Sequence, residues 1–144
     1  MSSLEVRTAV NQAVADATTI NTYDISDYVT LEDCLSSIDS EAVLIQYITS
    51  GERIASIGGP NNQGWEEDGS VVLHLVVPTG FNSGPTIATG DAIRSQLKGK
   101  RITPNITIEA CDPFTDYGAG STGLYGGAWK GYASNLYYVN RSCG

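Results

Sequence analysis

Residues 70–77 read SVVLHLVV, and this stretch decides the fold. Six of its eight positions are Val or Leu, and only Ser70 and His74 interrupt them. Such near-continuous, β-branched apolarity is the pattern of a central strand covered on both faces. Pro78-Thr79-Gly80 closes the run with turn chemistry.

Downstream, Ser83 and Pro85 read as a helix N-cap and first helical residue. Ile87, Ala88, Ala92, Ile93 and Leu97 form the apolar stripe of that helix, and Gly99 stands where a C′ glycine belongs. Ile106 and Ile108 alternate with Thr107 and Glu109 as in a half-buried strand. Residues 112–131 read as a loop rich in Gly, Tyr and Asp, and a last strand is expected over about Tyr132 to Val139.

Upstream, residues 58–69 (GGPNNQGWEEDG) have every local feature of a loop. Ala42 to Thr49 reads as a strand, Gly51 as a turn, and Arg53 to Ile57 as the returning strand of a hairpin. Thr30 with Asp33 is a capping pattern before a short helix at about 30–38, and residues 20–30 are mixed and acidic. Ser2 with Glu5 repeats the pattern before a helix over 3–18, whose stripe is Val6, Ala9, Val10, Ala13, Val14 and Ala17. The expectation is a single α+β (mixed α/β) domain over 1–144. One sheet of four to five strands carries the N-terminal helix and a second helix packed against it.

The composition narrows the function classes. The chain has 144 residues, 17% of them charged, with 16 glycines and a net charge of −8. Residues 1–72 carry twelve acids against Arg7 and Arg53, whereas residues 73–144 carry four acids against six bases. An acidic protein does not coat nucleic acid through its net field. The asymmetry suits head-to-tail contacts between identical subunits. No apolar run approaches the roughly 20 residues of a membrane span, and the first residues lack the pattern of a signal peptide. Cys34, Cys111 and Cys143 are far apart and form no C-x-x-C pair, as expected of incidental thiols in a reduced, cytosolic chain.

No residue pattern supports catalysis, a cofactor or a metal. His74 is alone between Leu73 and Leu75, and no G-x-S-x-G elbow exists to use it. Gly118-x-Gly120-x-x-Gly123 matches the dinucleotide fingerprint in letters, but it neither follows a strand nor opens a helix. Glu66, Glu67 and Asp68 are the densest acidic run and lack the spacing of a calcium loop, so they read as a solvated or contact segment. Lys98, Lys100 and Arg101 are the one basic cluster. They suit the negative end of a helix dipole or a subunit contact. Trp65, Tyr117, Tyr125 and Trp129 fall in or beside the two long loops, where large aromatics serve interfaces.

Residues 69–101 read GSVVLHLVVPTGFNSGPTIATGDAIRSQLKGKR. This segment resembles small tail-terminator proteins of long-tailed bacteriophages. The resemblance lies in the Val77-Pro78-Thr79-Gly80 strand end, the Ile93 to Leu97 helix, the Trp129-Lys130-Gly131 lead into the last strand and the amphipathic N-terminal helix. It covers most of the chain in outline, with residues 21–41 looking like an insertion. It implies a virion protein made in the host cytoplasm, without enzymatic activity. Such proteins form a ring, typically of six subunits, that caps the tail tube, stops its polymerisation and joins it to the head or neck. The implied partners are further copies of the chain, the tail-tube protein and a head-completion or neck protein. DNA passes through the lumen unread, and Glu66, Glu67 and Asp68 are candidates to line it. Another head–tail joint protein, a tail-tube subunit and a small ligand-binding module are the alternatives.

Overall fold

The Ser70–Val77 run lies at the centre of the sheet. The computed structural model describes residues 4–28, 30–38, 40–57, 63–78, 83–116 and 129–143. Along the chain come α1 (Leu4–Asp16), β1 (Asn21–Asp24), a 3₁₀ turn (Ile25–Asp27), α2 (Leu31–Ser36), β2 (Ala42–Ile57) and β3 (Gln63–Pro78). They are followed by α3 (Ser83–Leu97), β4 (Ile106–Cys111), the two-residue β5 (Thr115–Asp116) and β6 (Trp129–Cys143). The sheet order is β1-β2-β3-β6-β4, with β5 also on β6. β1 runs parallel to β2 and every other pairing is antiparallel. The architecture is α+β, as the residue pattern predicts.

Alternation sorts the core. Val43 and Ile45 of β2, Val71, Leu73 and Leu75 of β3, and Tyr132, Leu136 and Tyr138 of β6 share one face. On that face they meet Val6, Val10, Ala13 and Val14 of α1 and Ile93 and Leu97 of α3. The opposite face of the sheet offers Leu44 and Val76, which α2 covers with Cys34 and Leu35. Each fully buried Val, Leu or Ile contributes about 1.5–3 kcal/mol relative to exposure. The double covering of β3 is why its sequence is apolar at both parities.

Two helix ends follow their sequence signals, the start of α2 and the end of α3, whereas Ser83, read as an N-cap, is the first residue of α3. The Thr30 hydroxyl accepts from the Asp33 backbone N–H at 3.1 Å, so the capping pattern is used as read. Gly99 has φ +73, and Lys100 N–H reaches the Leu97 carbonyl at 3.1 Å, closing α3 in a left-handed residue. α1 spans Leu4–Asp16, and its proposed cap Ser2 lies outside the described residues.

Six readings need correction. Gly51 is not a turn: β2 runs unbroken through it, and the strand that returns is β3, with residues 58–62 between them outside the described set. Residues 63–69 are not loop but the first half of β3. The pairing of both their edges, to β2 and to β6, overrides their poor strand propensity. β6 begins three residues before Tyr132 and ends four after Val139, because it follows β3 along its whole paired length. The 112–131 segment contains β5 and the start of β6, and residues 117–128 lie outside the described set. The stripe of α3 is rotated: Ile87, Ala88 and Ala92 are exposed, while Thr86, Gly90, Ile93 and Leu97 face inward. Gly90 is the reason. A Cβ there would sit 3.1 Å from the Phe114 ring and 3.4 Å from Leu75 Cδ2, so the hydrogen alone lets the helix lie this close. The mixed acidic segment, finally, resolves into β1 and the 3₁₀ turn, and β1 forms one edge of the sheet.

Gly99 supplies a clean test, since nothing lies within 4 Å of its Cβ position. Gly99→Ala should lower unfolding free energy by about 1 kcal/mol through backbone strain alone. Gly99→Asn should cost less, and urea denaturation of the three proteins measures both.

Candidate functional site

The densest acidic run falls in the first half of β3, paired with β2 and β6. β3 places successive side chains on opposite faces, so Glu66 and Glu67 part company. Glu67 lies on the face of Val71, is 9% exposed, and accepts a hydrogen bond from the Tyr138 hydroxyl at 3.0 Å. Glu66 lies on the other face, is 8% exposed, and accepts from Arg141 Nε at 3.1 Å. Neither is the solvated side chain that the sequence suggested. Buried carboxylates need partners, and β6 supplies one for each. Asp68, the third member, is half-buried opposite Val139. Asn140, which stands opposite Glu67 in the ladder, is buried with no hydrogen-bond partner for its Oδ1.

The basic cluster stays together and stays exposed. Lys98, Lys100 and Arg101 follow the C-terminus of α3. Arg101 donates twice to the Pro104 carbonyl, from Nε at 3.1 Å and Nη2 at 2.6 Å, which folds residues 101–104 into a tight corner. Arg141 comes to the same corner from β6. With Arg101, Asn105 and Thr107 it lines a cavity of about 530 Å³. Sequence reasoning missed Arg141, since its arrival depends on β6 running past Val139. On the other side of the corner, residues 100–103 and α1 enclose a groove of about 730 Å³. Leu4, Ala9, Ala13 and Ile102 give it an apolar surface, and Glu5, Asp16 and Lys100 are its charged lining residues. Leu4 is 80% exposed.

The opposite edge of the sheet is acidic and partly tied down. Asp24 accepts from Arg7 at 3.0 Å, from Asn11 at 3.1 Å and from the Ser26 backbone at 2.9 Å. Burial raises its pKa, but these donors outweigh burial and hold the carboxyl below its usual value. Arg7 also lies over the Tyr47 ring at 5.0 Å. The Tyr47 hydroxyl donates to Asn11 Oδ1 at 2.6 Å, and burial and the Asp24 charge push its pKa up. These contacts tie α1 to β1 and β2.

The aromatic candidates scatter. Trp129 opens β6, half-buried against the α2 cluster. Trp65 is a β3 residue, paired with Ile54 and Ser142, and not part of a loop. Tyr117 and Tyr125 lie outside the described residues.

His74 is a packed strand residue, 3% exposed, with Nε2 at 2.8 Å from Gln46 Oε1. Burial pushes its pKa down to about 4, so it is neutral at physiological pH. Ser134 is paired with Leu73 and so lies on the other face of the sheet from His74. Its hydroxyl donates to the Asp112 carbonyl, and Cys111 Sγ lies 3.5 Å from it. Burial pushes the Cys111 thiol up, only partly offset by the Ser134 hydrogen bond and Arg94. Among the described residues there is no group of three or more His, Cys, Asp or Glu able to hold a metal, and no helix long and apolar enough to cross a membrane. No protein-family model matches the chain, and a comparison with curated proteins finds no match.

Two outcomes follow from these buried groups. His74 binds a proton less readily in the folded chain than in the unfolded one, so stability should fall as pH drops from about 6.5 to about 4. The slope attributable to His74 is at most about 1.4 kcal/mol per pH unit, and His74→Gln should remove it. Urea midpoints for both proteins across that window measure the difference. Tyr138→Phe takes a donor from the buried Glu67 and should cost about 1–3 kcal/mol in the same assay.

Proposed function

We propose that the chain is a structural protein of a phage tail. As a tail terminator it assembles into a ring, closes the growing end of the tail tube and presents its other face to a head-completion or neck protein. DNA crosses the opening without being read. The observation that carries this reading is the long three-stranded arm of the sheet. β2 and β3 are sixteen residues each and β6 is fifteen. Typical strands have about 5–6 residues, and sixteen extended residues span about 50 Å. Among the described side chains, the core clusters take β3 residues from Val71 onward, and Tyr138 of β6 joins them opposite Gly69. β1 covers the outer edge of β2 only from Ala42 to Ile45. Among the described residues, no strand pairs with that edge from Gln46 to Ile57.

An open edge of this length is a liability in a lone protein and an asset in an assembling one. Its two register irregularities, at Tyr47/Thr49 and Ile54/Ser56, twist the edge and so restrict which strands can join it. The resemblance of residues 69–101 to tail terminators supplies the identity of the assembly. The charge division between the two halves of the chain supports a head-to-tail closed contact.

An open edge suits a tube subunit as well, and electron microscopy separates the two. Purified protein should give closed rings over a concentration series, and short tubes of stopped length when mixed with tail-tube protein from the same source. Long tubes from this chain alone would make it the tube subunit. A persistent monomer that leaves tube growth untouched would refute the ring.

A further inference from the structure

The two edges of the sheet differ in charge. β1 and β4 are its outermost strands. Residues 21–41, which contain β1, the 3₁₀ turn and α2, carry six Asp or Glu and no Lys or Arg. Residues 94–107, which lead from α3 into β4, carry four Lys or Arg and no Asp or Glu, and β4 beyond them carries the single acid Glu109. Arg141, ion-paired with Glu66, lies beside them. A copy that meets another through two like edges brings like charges together, which is unfavourable. Opposite edges attract.

We infer that the basic edge of one copy seats the acidic edge of a second copy. This rests on the ring reading and names its contact surfaces. Backbone pairing does not drive this contact. The outer edge of β4 is already occupied: Ile102 N–H donates to the Ile106 carbonyl at 2.9 Å, and Ile108 N–H donates to the Lys100 carbonyl at 2.8 Å. Side chains are what this edge offers. The corner at residues 101–104 has the arginine-lined cavity on one side and the apolar groove on the other. The cavity favours an acidic occupant, whereas the groove, with Glu5 and Asp16 in its lining, favours an apolar one. The acidic edge of a second copy offers both, with Asp33 exposed on α2 and Ile25, Tyr28 and Ile38 half-buried against the α2 cluster. Because the two surfaces are different parts of one chain, each copy keeps one of each kind available, and the contact repeats until the ring closes.

Charge reversal tests the pairing, with sedimentation velocity over a concentration series as the readout. Four full-length proteins are compared. They are the unmodified chain, a basic-edge variant (K98E, K100E, R101E), an acidic-edge variant (D33K, E41K) and a chain with all five substitutions. Lys98, Lys100 and Asp33 are exposed and Glu41 is half-buried, whereas Arg101 also holds the 101–104 corner through Pro104. The urea midpoint therefore checks the fold, and a K98E, K100E variant without R101E separates charge from loss of that corner. Each single-edge variant should weaken assembly by about tenfold or more, and the five-substitution chain should recover it. Raising salt from about 0.05 to about 0.5 M should weaken the unmodified assembly through screening. If all four assemble equally, the edge pairing is wrong while the ring stands. If the single-edge variants weaken but the five-substitution chain does not recover, the two edges do not face each other. If the unmodified chain is monomeric throughout, the ring reading itself falls.

Discussion

The ladder between β3 and β6 is the interaction on which the rest of the molecule depends. It runs without a break from Gly64 opposite Cys143 to Pro78 opposite Trp129. With β2 on its other side, β3 has both edges paired along nearly all its length. That pairing allows a strand holding two adjacent glutamates to remain in a sheet. It brings Tyr138 to Glu67 and Arg141 to Glu66, and it delivers Arg141 to the corner made by Arg101 and Pro104. Without β6 the buried carboxylates would have no donors from this side, and the helices would cover an incomplete floor.

The helix layer shows how a modest sequence signal becomes a tight structure. α1 is built from Val and Ala and lies flat on the sheet, fixed laterally by Arg7 and Asn11 on Asp24 and by the Tyr47 hydroxyl. α3 approaches closely through Gly90, and Arg94 Nε donates to the Cys111 carbonyl at 2.7 Å to hold the start of the segment after β4. Both helices cover the same face, and short α2 covers the other at one end only.

Local physics made part of this legible in advance. Helix caps at Thr30 and Gly99 depend on a residue and its near neighbours, so the residues announce them. The central place of the Ser70–Val77 run follows from apolarity at both parities. What local patterns do not carry is pairing across distance. Residues 63–69 look like a loop because Gly and acids avoid strands; only the edges of β2 and β6 make them one. For the same reason Arg141 could not be placed near Arg101, which is forty residues away in sequence. The face of α3 was misjudged because Gly90 contributes no apolarity to a stripe, although its lack of a side chain orients the helix. The basic cluster was legible as a group, while the apolar groove beside it needs α1 and residues 100–103 together.

The sheet order also sets a timetable for synthesis. β2 and β3 are neighbours in sequence and can pair as soon as both have left the ribosome. β6 emerges only after α3, β4 and β5, so until then one whole edge of the central strand is exposed. Loop closure over that span makes the final docking slow relative to hairpin formation. For that interval the nascent chain exposes the Val and Leu residues of β3 on an unpaired edge, which is the state that holding chaperones recognise. The distance between β3 and its second partner therefore governs how the chain is handled during synthesis.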